Sequence, residues 1–520
     1  MAVRAELENP IAMQNKPKFA KKFLDLYKSC VASQPFAAKD YMDFLNQMEG
    51  INWLLLANNE TEPTDYDWLQ IFAMSSKYRM NDILVEEYMA ANEKDPPHLA
   101  IHLRKYSREY GFKKIAPRDV IHLNKTMDSA KYPKNFYKDI RKFERKLIRI
   151  ENLEYPAGSK ETIELRNLPF EWLRKYLKYL LEPELTLDPQ MHVIVSDVEY
   201  LKALDELLMT SDGRFLRRYM EMRFLNNLRK SGRHLGEEMH CVGVAGDHMP
   251  LAMHWIYEDI HPLDARTEDE IQQMFSKILQ QVISTISHVH YLNVVDPATL
   301  QNLNKIRLMI GNLPRPNTTE ILEEYYLDFT VQTEFHKNLL TLKQRHAKQM
   351  LQALSMPVPN TQSAGFNDIL EKLHPMAVHE PIYFPSYNLM LLPSYLLRVP
   401  VYHSELEDIF KYSFLATTLA SAVYSSLGFS GLDEEHREML ITMGGIHTAY
   451  ALFFANNTEE EHLRFKGDLK ELSLKKVFLI NAMQLHCGDV AEFDFNEVFL
   501  YLPDFVRVFD CKFQKLMNIF

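Results

Sequence analysis

The chain has 520 residues, of which 46% are hydrophobic and 25% charged; these fractions are ordinary for a globular protein and exclude wholesale disorder. Its formal net charge of -11 argues against a nucleic-acid partner, which would need a basic surface. Only 16 glycines stand beside 25 methionines, and this balance favours helix over sheet. No uninterrupted run of 18 apolar residues occurs, so we expect no transmembrane segment in this chain.

The first residues and the cysteines bear on the compartment. Met1–Glu8 lacks an apolar signal core and a cleavage-site pattern, which taken alone predicts a cytoplasmic chain. Four cysteines, Cys30, Cys241, Cys487 and Cys511, are too few and too scattered for a disulfide framework or a zinc ribbon. These features say nothing about an activity.

Amphipathic helices dominate the patterns of the N-terminal half. Pro17–Ser29 and Lys138–Glu151 both place apolar residues at helical spacing. His192–Val195 is one of the few strand-like runs. Phe215–Lys230 is rich in arginine, and we interpret those arginines as a charged helix face and not as an anion site.

The middle of the chain predicts a long helix and a linker. Glu270–His290 ends in His-Val-His, whose two histidines point away from each other on a helix, so we expect solvated histidines and no metal site. Pro357–Gly365 is the clearest linker. It divides the chain into two predicted regions, residues 1–365 and 366–520.

Residues 383–445 contain the most informative order of motifs. Tyr383–Pro393 leads into Ser394–Tyr402, whose prolines predict short strands and turns. A helix-like run, Tyr412–Tyr424, follows, and then Glu438–Gly445, which ends in two glycines. This order resembles the C-terminal half of neprilysin-family zinc endopeptidases. There a substrate-binding strand and an N-x-I-V-F-P-A-G-I-L-Q-P-P segment precede an HExxH zinc helix and an ExxxD-x-G-G helix.

Other segments extend the resemblance. Lys305–Pro314 is similar to a family helix that closes with I-G-Y-P, and Asn481–Gly488 resembles N-F-A-Q-V-W-C-G. Leu26–Cys30 resembles L-Y-x-S-C, and Met239–Val242 resembles its partner segment. The resemblance covers Pro17–Met517. It implies a predominantly α-helical, two-lobed neprilysin-like fold, with a large helical N-terminal lobe and a reduced thermolysin-like C-terminal lobe that has a few short strands.

The cysteines fit this family. Cys30 and Cys241 correspond to two cysteines that form a disulfide in family members. Cys487 and Cys511 correspond to cysteines that pair with an N-terminal C-x-D-F-Y-x-Y-A-C-G motif, which this sequence lacks. We therefore expect a shortened relative or an incomplete gene product. Localisation stays open between the cell surface or exterior, as in the family, and the cytoplasm, if Met1 is the true start.

The resemblance assigns a residue to each slot of the zinc helix. Active members bind zinc through two histidines at i and i+4 and a glutamate from a later helix, and the glutamate of HExxH activates the zinc-bound water. With Tyr424 at the aromatic residue after HExxH, the histidine slots hold Thr418 and Ala422, and the general-base slot holds Leu419. Phe410–Phe429 contains no histidine and no glutamate.

The remaining catalytic slots are also altered. Counted back from the two glycines, Glu438 stands at the third zinc ligand, and Thr442 stands where a supporting aspartate belongs. Asp494 stands at the slot of a substrate-binding arginine and would repel a peptide carboxylate. The transition-state histidine of that region is absent. Pro381 removes a backbone donor from the substrate strand.

The sequence therefore predicts a catalytically inactive homologue of the neprilysin family. We expect it to bind no zinc or other cofactor, and to hold a peptide or protein partner without hydrolysis. Retained framework residues such as Pro393 and Pro400 favour a binding role. Two alternatives stay open: a zinc metalloendopeptidase in peptide processing, as the family label suggests, and a non-functional structural relic without a stable interior.

Overall fold

The described residues form two compact units. The computed structural model of the protein describes residues 2–33, 37–51, 53–54, 66–80, 83–91, 99–105, 115–126, 135–153, 161–182, 190–231, 234–288, 301–313, 317–354, 380–385, 388–429, 432–456, 472–484 and 503–510. Unit 1 comprises Met1–Met253 and Thr319–Lys372, and unit 2 comprises His254–Thr318 and Leu373–Phe520. The predicted division at residue 365 falls outside the described residues and stays a prediction. His254–Thr318 nevertheless groups with the C-terminal region, because its helix and strand pack into the core of unit 2.

Helices make up most of the described chain, as its composition predicted. In chain order they are α1 (Ala2–Leu7), α2 (Pro10–Gln14), α3 (Lys18–Val31), α4 (Ala38–Glu49), α5 (Trp68–Lys77), α6 (Pro117–Thr126), α7 (Phe136–Glu151), α8 (Glu171–Leu181), α9 (Val198–Met209), α10 (Gly213–Ser231), α11 (Glu238–His248), α12 (Pro250–Ile260), α13 (Ala265–His288), α14 (Thr318–Tyr325), α15 (Phe335–Ala353), α16 (Asp408–Lys411), α17 (Thr417–Ser425), α18 (Glu434–Asn456), α19 (Leu474–Met483) and α20 (Pro503–Phe509). A π-helical turn, Tyr412–Ala416, joins α16 to α17. Within the described residues, none of these helices is long and apolar enough to cross a membrane.

Each unit contains one small sheet. The strands are β1 (Val85–Ala91), β2 (Leu99–Lys105), β3 (Glu161–Glu164), β4 (His192–Val195), β5 (Arg307–Ile310), β6 (Ile382–Phe384) and β7 (Leu389–Leu392). The sheet of unit 1 has the order β1-β2-β4-β3, with β2 and β4 parallel and the other neighbours antiparallel. The sheet of unit 2 has the order β5-β7-β6, with β5 parallel and β6 antiparallel to β7.

The amphipathic patterns read from the sequence are confirmed. α3 buries Phe19, Phe23, Leu26 and Cys30, which recur every three or four residues and therefore share one face of the helix. α7 covers the predicted helix that ends at Glu151, and β4 coincides with the predicted strand.

The arginine-rich helix α10 corrects the interpretation of a charged helix face. Three of its arginines are no more than 7% exposed, and each forms a buried ion pair. The pairs are Arg217–Glu221 at 2.8 Å, Arg223–Glu144 at 3.6 Å and Arg229–Asp119 at 2.5 Å. Two of the acidic partners come from α6 and α7, so the pattern of α10 alone could not show that this face is buried.

A second correction concerns the segment before Gly311. It was expected to close a helix, but Arg307–Ile310 forms β5, which runs parallel to β7 with Ile310 opposite Leu392. Ile310 is 4% exposed and belongs to the core of unit 2. The partner strand follows much later in the chain, so the local sequence gave no sign of this pairing.

Two glycines allow α17 and α18 to pack closely in unit 2. A Cβ atom at Gly444 would lie 2.7 Å from the ring of Tyr424, and one at Gly445 would lie 2.9 Å from the backbone nitrogen of Ser421. Real Cβ atoms do not approach other atoms this closely. The helix pair can therefore keep its spacing only with glycine at both positions.

A disulfide joins α3 to α11 in unit 1. Cys30 and Cys241 are 211 residues apart in sequence, and their Cα atoms are 5.6 Å apart. Both side chains are fully buried. This is the bridge that the family resemblance implied.

Replacement of Gly445 by alanine should destabilise the protein. We expect Gly445→Ala to lower the free energy of unfolding by about 1–3 kcal/mol, because the added methyl group meets the backbone of Ser421. The matched control is Gly243→Ala in the interior of α11, where a Cβ would meet nothing within 4 Å. Its higher helix propensity should stabilise the protein by about 0.5–1 kcal/mol. Urea unfolding of both variants checks this, and equal effects would contradict the packing assigned to Gly445.

Removal of the disulfide should destabilise unit 1. The Cys30→Ala/Cys241→Ala variant should lose about 2–5 kcal/mol of stability, because the bridge restricts a long loop of the unfolded chain. Urea unfolding under oxidising conditions measures the loss. The same protein with added reductant provides the comparison. Wild-type protein whose unfolding does not change on reduction would contradict the role of the bridge.

Candidate functional site

The zinc-helix slots lie in α17 and face the protein interior. Seven of the nine residues of this helix are buried. Leu419 is 0% exposed and Ala422 is 7% exposed. The Thr418 hydroxyl donates a hydrogen bond of 2.9 Å to the backbone oxygen of Phe414, within the preceding helical turn. These side chains present no nitrogen or carboxylate oxygen to a metal ion.

The surroundings of Leu419 and Ala422 are apolar. Both residues belong to the core of unit 2, which includes buried side chains of α13, β5, β7, α18 and α19. Met390 of β7 and Phe478 of α19 are fully buried members of this core. A charged general base at position 419 would lose its hydration without gaining a partner.

Residue contacts show that α17 and α18 are antiparallel. Ser421 lies opposite Gly445, as the blocked Cβ position of that glycine shows. Further back along the chain, the ring of Tyr412 packs against that of Phe453 with centroids 5.9 Å apart. From the first contact to the second, the residue number falls from 421 to 412 on the side of α17 and rises from 445 to 453 on α18. The two helices therefore run in opposite directions.

This pairing indicates where the assigned third-ligand slot lies along α18. If the pairing continues, Ala422 lies opposite Gly444, and Glu438 lies about six residues, or roughly 9 Å, further along α18. Glu438 is half-buried, and Thr442 is 8% exposed. Glu438 therefore keeps the spacing from the two glycines that the family motif has, and its assignment to the third-ligand slot stays a prediction.

An aromatic ring occupies the contact between the helices. Tyr424 packs on Gly444, and its hydroxyl faces those of Thr448 and Thr285 without a hydrogen bond of good geometry among the described residues. Burial raises the pKa of Tyr424. Burial also lowers the pKa of His447, which lies on α18 three residues after Gly444. Both groups are therefore held neutral. No group of three His, Cys, Asp or Glu side chains that could hold a metal ion occurs among the described residues.

β6 stands at an edge of the sheet in unit 2, where the family resemblance places a substrate strand. Tyr383 of β6 lies opposite Met390 of β7 and donates a hydrogen bond of 2.8 Å to the side-chain oxygen of Asn388. Asn388 has a left-handed backbone (φ 45°) and donates to the backbone oxygen of Asn302 at 3.0 Å. Asn388, directly before β7, is therefore hydrogen-bonded both to β6 and to the backbone of Asn302. Burial raises the pKa of Tyr383.

Several predicted residues cannot be placed. Asp494, Cys487 and Cys511 lie outside the described residues. Their assigned roles stay predictions. The sequence analysis did not predict the contact between Gly444 and Tyr424. Two adjacent glycines within a helical pattern were the only sign of it in the sequence.

Solved structures show where this fold occurs. The crystal structure of the Mycobacterium tuberculosis zinc metalloprotease Zmp1 in complex with an inhibitor superposes with a TM-score of 0.68 at 12% identity, over 98% of this chain and 90% of that chain. PepO from Lactobacillus rhamnosis HN001 gives 0.66 at 13% identity, over 99% and 91%. The Haemonchus galactose containing glycoprotein complex gives 0.66 at 13% identity, over 98% and 88%. At such low identity these likenesses establish the fold alone, and it is the helical neprilysin-like fold that the resemblance implied.

Family membership follows from comparison of the sequence with family profiles. No curated protein matches the chain significantly. The profile for the N-terminal region of Peptidase family M13 matches residues 1–314, which is more than half of the chain. The chain belongs to peptidase family M13.

Proposed function

We propose that this member of family M13 is a pseudoprotease, which binds a peptide or protein partner without hydrolysing it. Leu419 carries the proposal: at the slot of the general base it is an apolar side chain that is 0% exposed. Thr418 and Ala422 at the histidine slots add no metal-binding nitrogen. Without a metal ion and a base, no hydroxide forms to attack a peptide bond.

The edge strand β6 supports a role in peptide binding. It pairs with β7 on one side, and no described strand pairs with its other side. An open edge can accept an extended peptide as a further strand, through backbone hydrogen bonds. Pro381, directly before β6, lacks one donor that such a peptide would use.

The continuous core of unit 2 argues against a structural relic without a stable interior. Buried apolar side chains of α13, α17, α18 and α19 form one cluster that includes the catalytic slots. A folded unit of this kind should melt cooperatively. The same core surrounds Leu419 and Ala422 with apolar side chains, which supports the pseudoprotease over the alternative of an active zinc enzyme.

A glutamate at the base slot should not be tolerated. Leu419→Glu should lower the free energy of unfolding by at least about 3 kcal/mol at neutral pH, because the core desolvates the carboxylate. Burial raises the folded-state pKa of this glutamate above its unfolded value. The penalty should therefore be smallest below about pH 4, grow as pH rises above the unfolded pKa, and reach its full size once pH exceeds the folded pKa.

The control for this variant is Leu327→Glu, because Leu327 is 73% exposed. It should change stability by less than about 0.5 kcal/mol. Urea unfolding at acidic and neutral pH measures both variants. A Leu419→Glu protein as stable as the control at neutral pH would show that the slot is open to solvent.

Peptides should be bound and left intact. The purified chain is incubated with a defined peptide mixture and zinc, and bound and free peptides are identified by mass spectrometry. We expect retained peptides of unchanged mass. Pro381→Ala should strengthen capture about fivefold, the equivalent of ~1 kcal/mol for one added backbone hydrogen bond. Fragments that a chelator suppresses, and that Glu438→Ala also abolishes, would instead establish an active peptidase.

A further inference from the structure

Unit 1 contains a group of basic side chains where the end of α5 meets α15. They are Arg79, which follows α5, and Lys343 and His346 of α15. Lys343 and His346 are three residues apart and therefore share one face of the helix. The Nη1 atom of Arg79 donates a hydrogen bond of 2.7 Å to the Nε2 atom of His346, since arginine has no acceptor. We call these three side chains the basic cluster.

Arg79 stands at a backbone position that favours glycine. Its φ is 52°, in the left-handed region, directly after α5. The Met80 N–H donates to the backbone oxygen of Ser75 at 2.7 Å, and the Arg79 N–H donates to that of Ser76 at 2.8 Å. This is the Schellman ending of a helix, in which the left-handed residue is usually glycine. Arginine there costs backbone strain that glycine would avoid, and such strain is common where a side chain has a function.

The positive charges of the basic cluster have no directly paired acid among the described residues. Arg79 is exposed, and its side chain bonds within that set to the His346 ring. Lys343 is half-buried and forms no hydrogen bond or ion pair with a described residue. The neighbouring Arg345 differs, because it pairs with Asp328 at 2.9 Å. Two cations therefore stand ready for an anion from outside the chain.

The titration of the basic cluster reflects the crowding of like charges. Burial, and after it the charge of Arg79, lowers the pKa of Lys343 to about 8. Asp247 of α11 opposes this shift with a smaller effect. Burial, followed by three neighbouring cations, lowers the pKa of His346 to about 3, so its ring is neutral at neutral pH. An anion beside Arg79 and Lys343 would relieve the repulsion between them.

The donors select the class of anion. Guanidinium and ammonium groups are the side chains that bind phosphate and sulfate groups in proteins. The neutral His346 ring holds the guanidinium in place without cancelling its charge. Because Arg79 is exposed, a ligand can approach it from solvent. A dianion matches the two positive charges, whereas a single carboxylate balances only one of them.

We propose that the basic cluster binds a divalent tetrahedral oxyanion, the class that includes phosphate and sulfate groups. Arg79 and Lys343 contact the anion, and His346 positions the guanidinium. The inference does not rest on the pseudoprotease proposal, because these side chains belong to unit 1, whereas α17, α18 and β6 belong to unit 2.

The test is calorimetric titration of the full-length chain with inorganic sulfate and with inorganic phosphate, at neutral pH and constant low ionic strength, where screening is weak. We expect both to bind with a Kd between about 0.1 and 3 mM. Acetate should bind at least about fivefold more weakly, because its single charge halves the Coulomb attraction to the two cations.

Sulfate affinity should depend on pH through Lys343. Sulfate itself does not titrate near neutrality, whereas the free ammonium group has a pKa of about 8. Above that pH, binding has to restore a proton, so affinity should fall at least about fivefold between about pH 7 and pH 9.5. Arginine and carboxylate side chains do not change charge over this range, so Arg79, Asp247 and Glu49 of α4 keep the surrounding field constant.

Two lysine variants on α15 assign the binding to the basic cluster. Lys343→Met should weaken sulfate binding at least about tenfold and remove its pH dependence, through loss of a charge-assisted bond. Lys337→Met makes the same change of charge on the same helix, at a lysine that already pairs with Glu334 at 3.0 Å. It should change the affinity by less than about twofold.

Arg79→Gly separates anion binding from a structural role. The variant should bind sulfate at least about tenfold more weakly, because it lacks the guanidinium. Its melting temperature, measured by circular dichroism, should not fall, because glycine relieves the left-handed strain. An arginine that served only to tie α5 to α15 would instead lower the melting temperature when removed.

Three outcomes would overturn the proposal. They are no binding of sulfate or phosphate, an equal loss of affinity in Lys337→Met and Lys343→Met, and wild-type affinity in Arg79→Gly. None of these measurements bears on peptide capture by β6, so failure here is distinguishable from failure of the pseudoprotease proposal.

Discussion

The close approach of α17 and α18 is the constraint on which the core of unit 2 depends. Gly444 and Gly445 leave no room for a side chain against Tyr424 and Ser421, so any larger residue would force the helices apart. The buried face of α17 then contacts α13, β6 and the turn before it as one packed body. Packing alone therefore requires glycine at both positions, without any appeal to catalysis.

In the family motif, the two glycines serve the packing of the helix pair, whereas the histidines and glutamates serve metal binding and catalysis. Histidines and a glutamate on a buried helix are costly unless a metal and partner carboxylates satisfy them. Leu419 and Ala422 avoid that cost, and a buried leucine contributes about 1.5–3 kcal/mol of its own. If the chain is the pseudoprotease that we propose, replacement of the ligands by residues such as Leu419 and Ala422 makes the former site part of the core, which gains stability from burial. This is a physical route by which a peptidase fold can persist without a peptidase site.

The sequence predicted those features that depend on neighbouring residues. The buried faces of α3 and α7 follow from periodicity, and β4 follows from its β-branched run. Pairing of Cys30 with Cys241 came from the family resemblance alone, since no local pattern selects one partner among four cysteines.

Features that depend on distant partners were missed. The arginines of α10 are buried because acids on α6 and α7 meet them, and β5 is a strand because β7 lies beside it. Contacts between helices, and not residue counts within one helix, decide which side chains share a site.

Zinc stoichiometry tests the central claim most directly. The purified full-length chain is dialysed against buffer with a slight excess of zinc, freed of unbound metal, and measured by inductively coupled plasma mass spectrometry beside Glu438→Ala. Because the helix slots hold Thr418, Leu419 and Ala422, the account predicts far less than one zinc ion per chain and no difference between the two proteins. One zinc ion per wild-type chain, lost in Glu438→Ala, would contradict it.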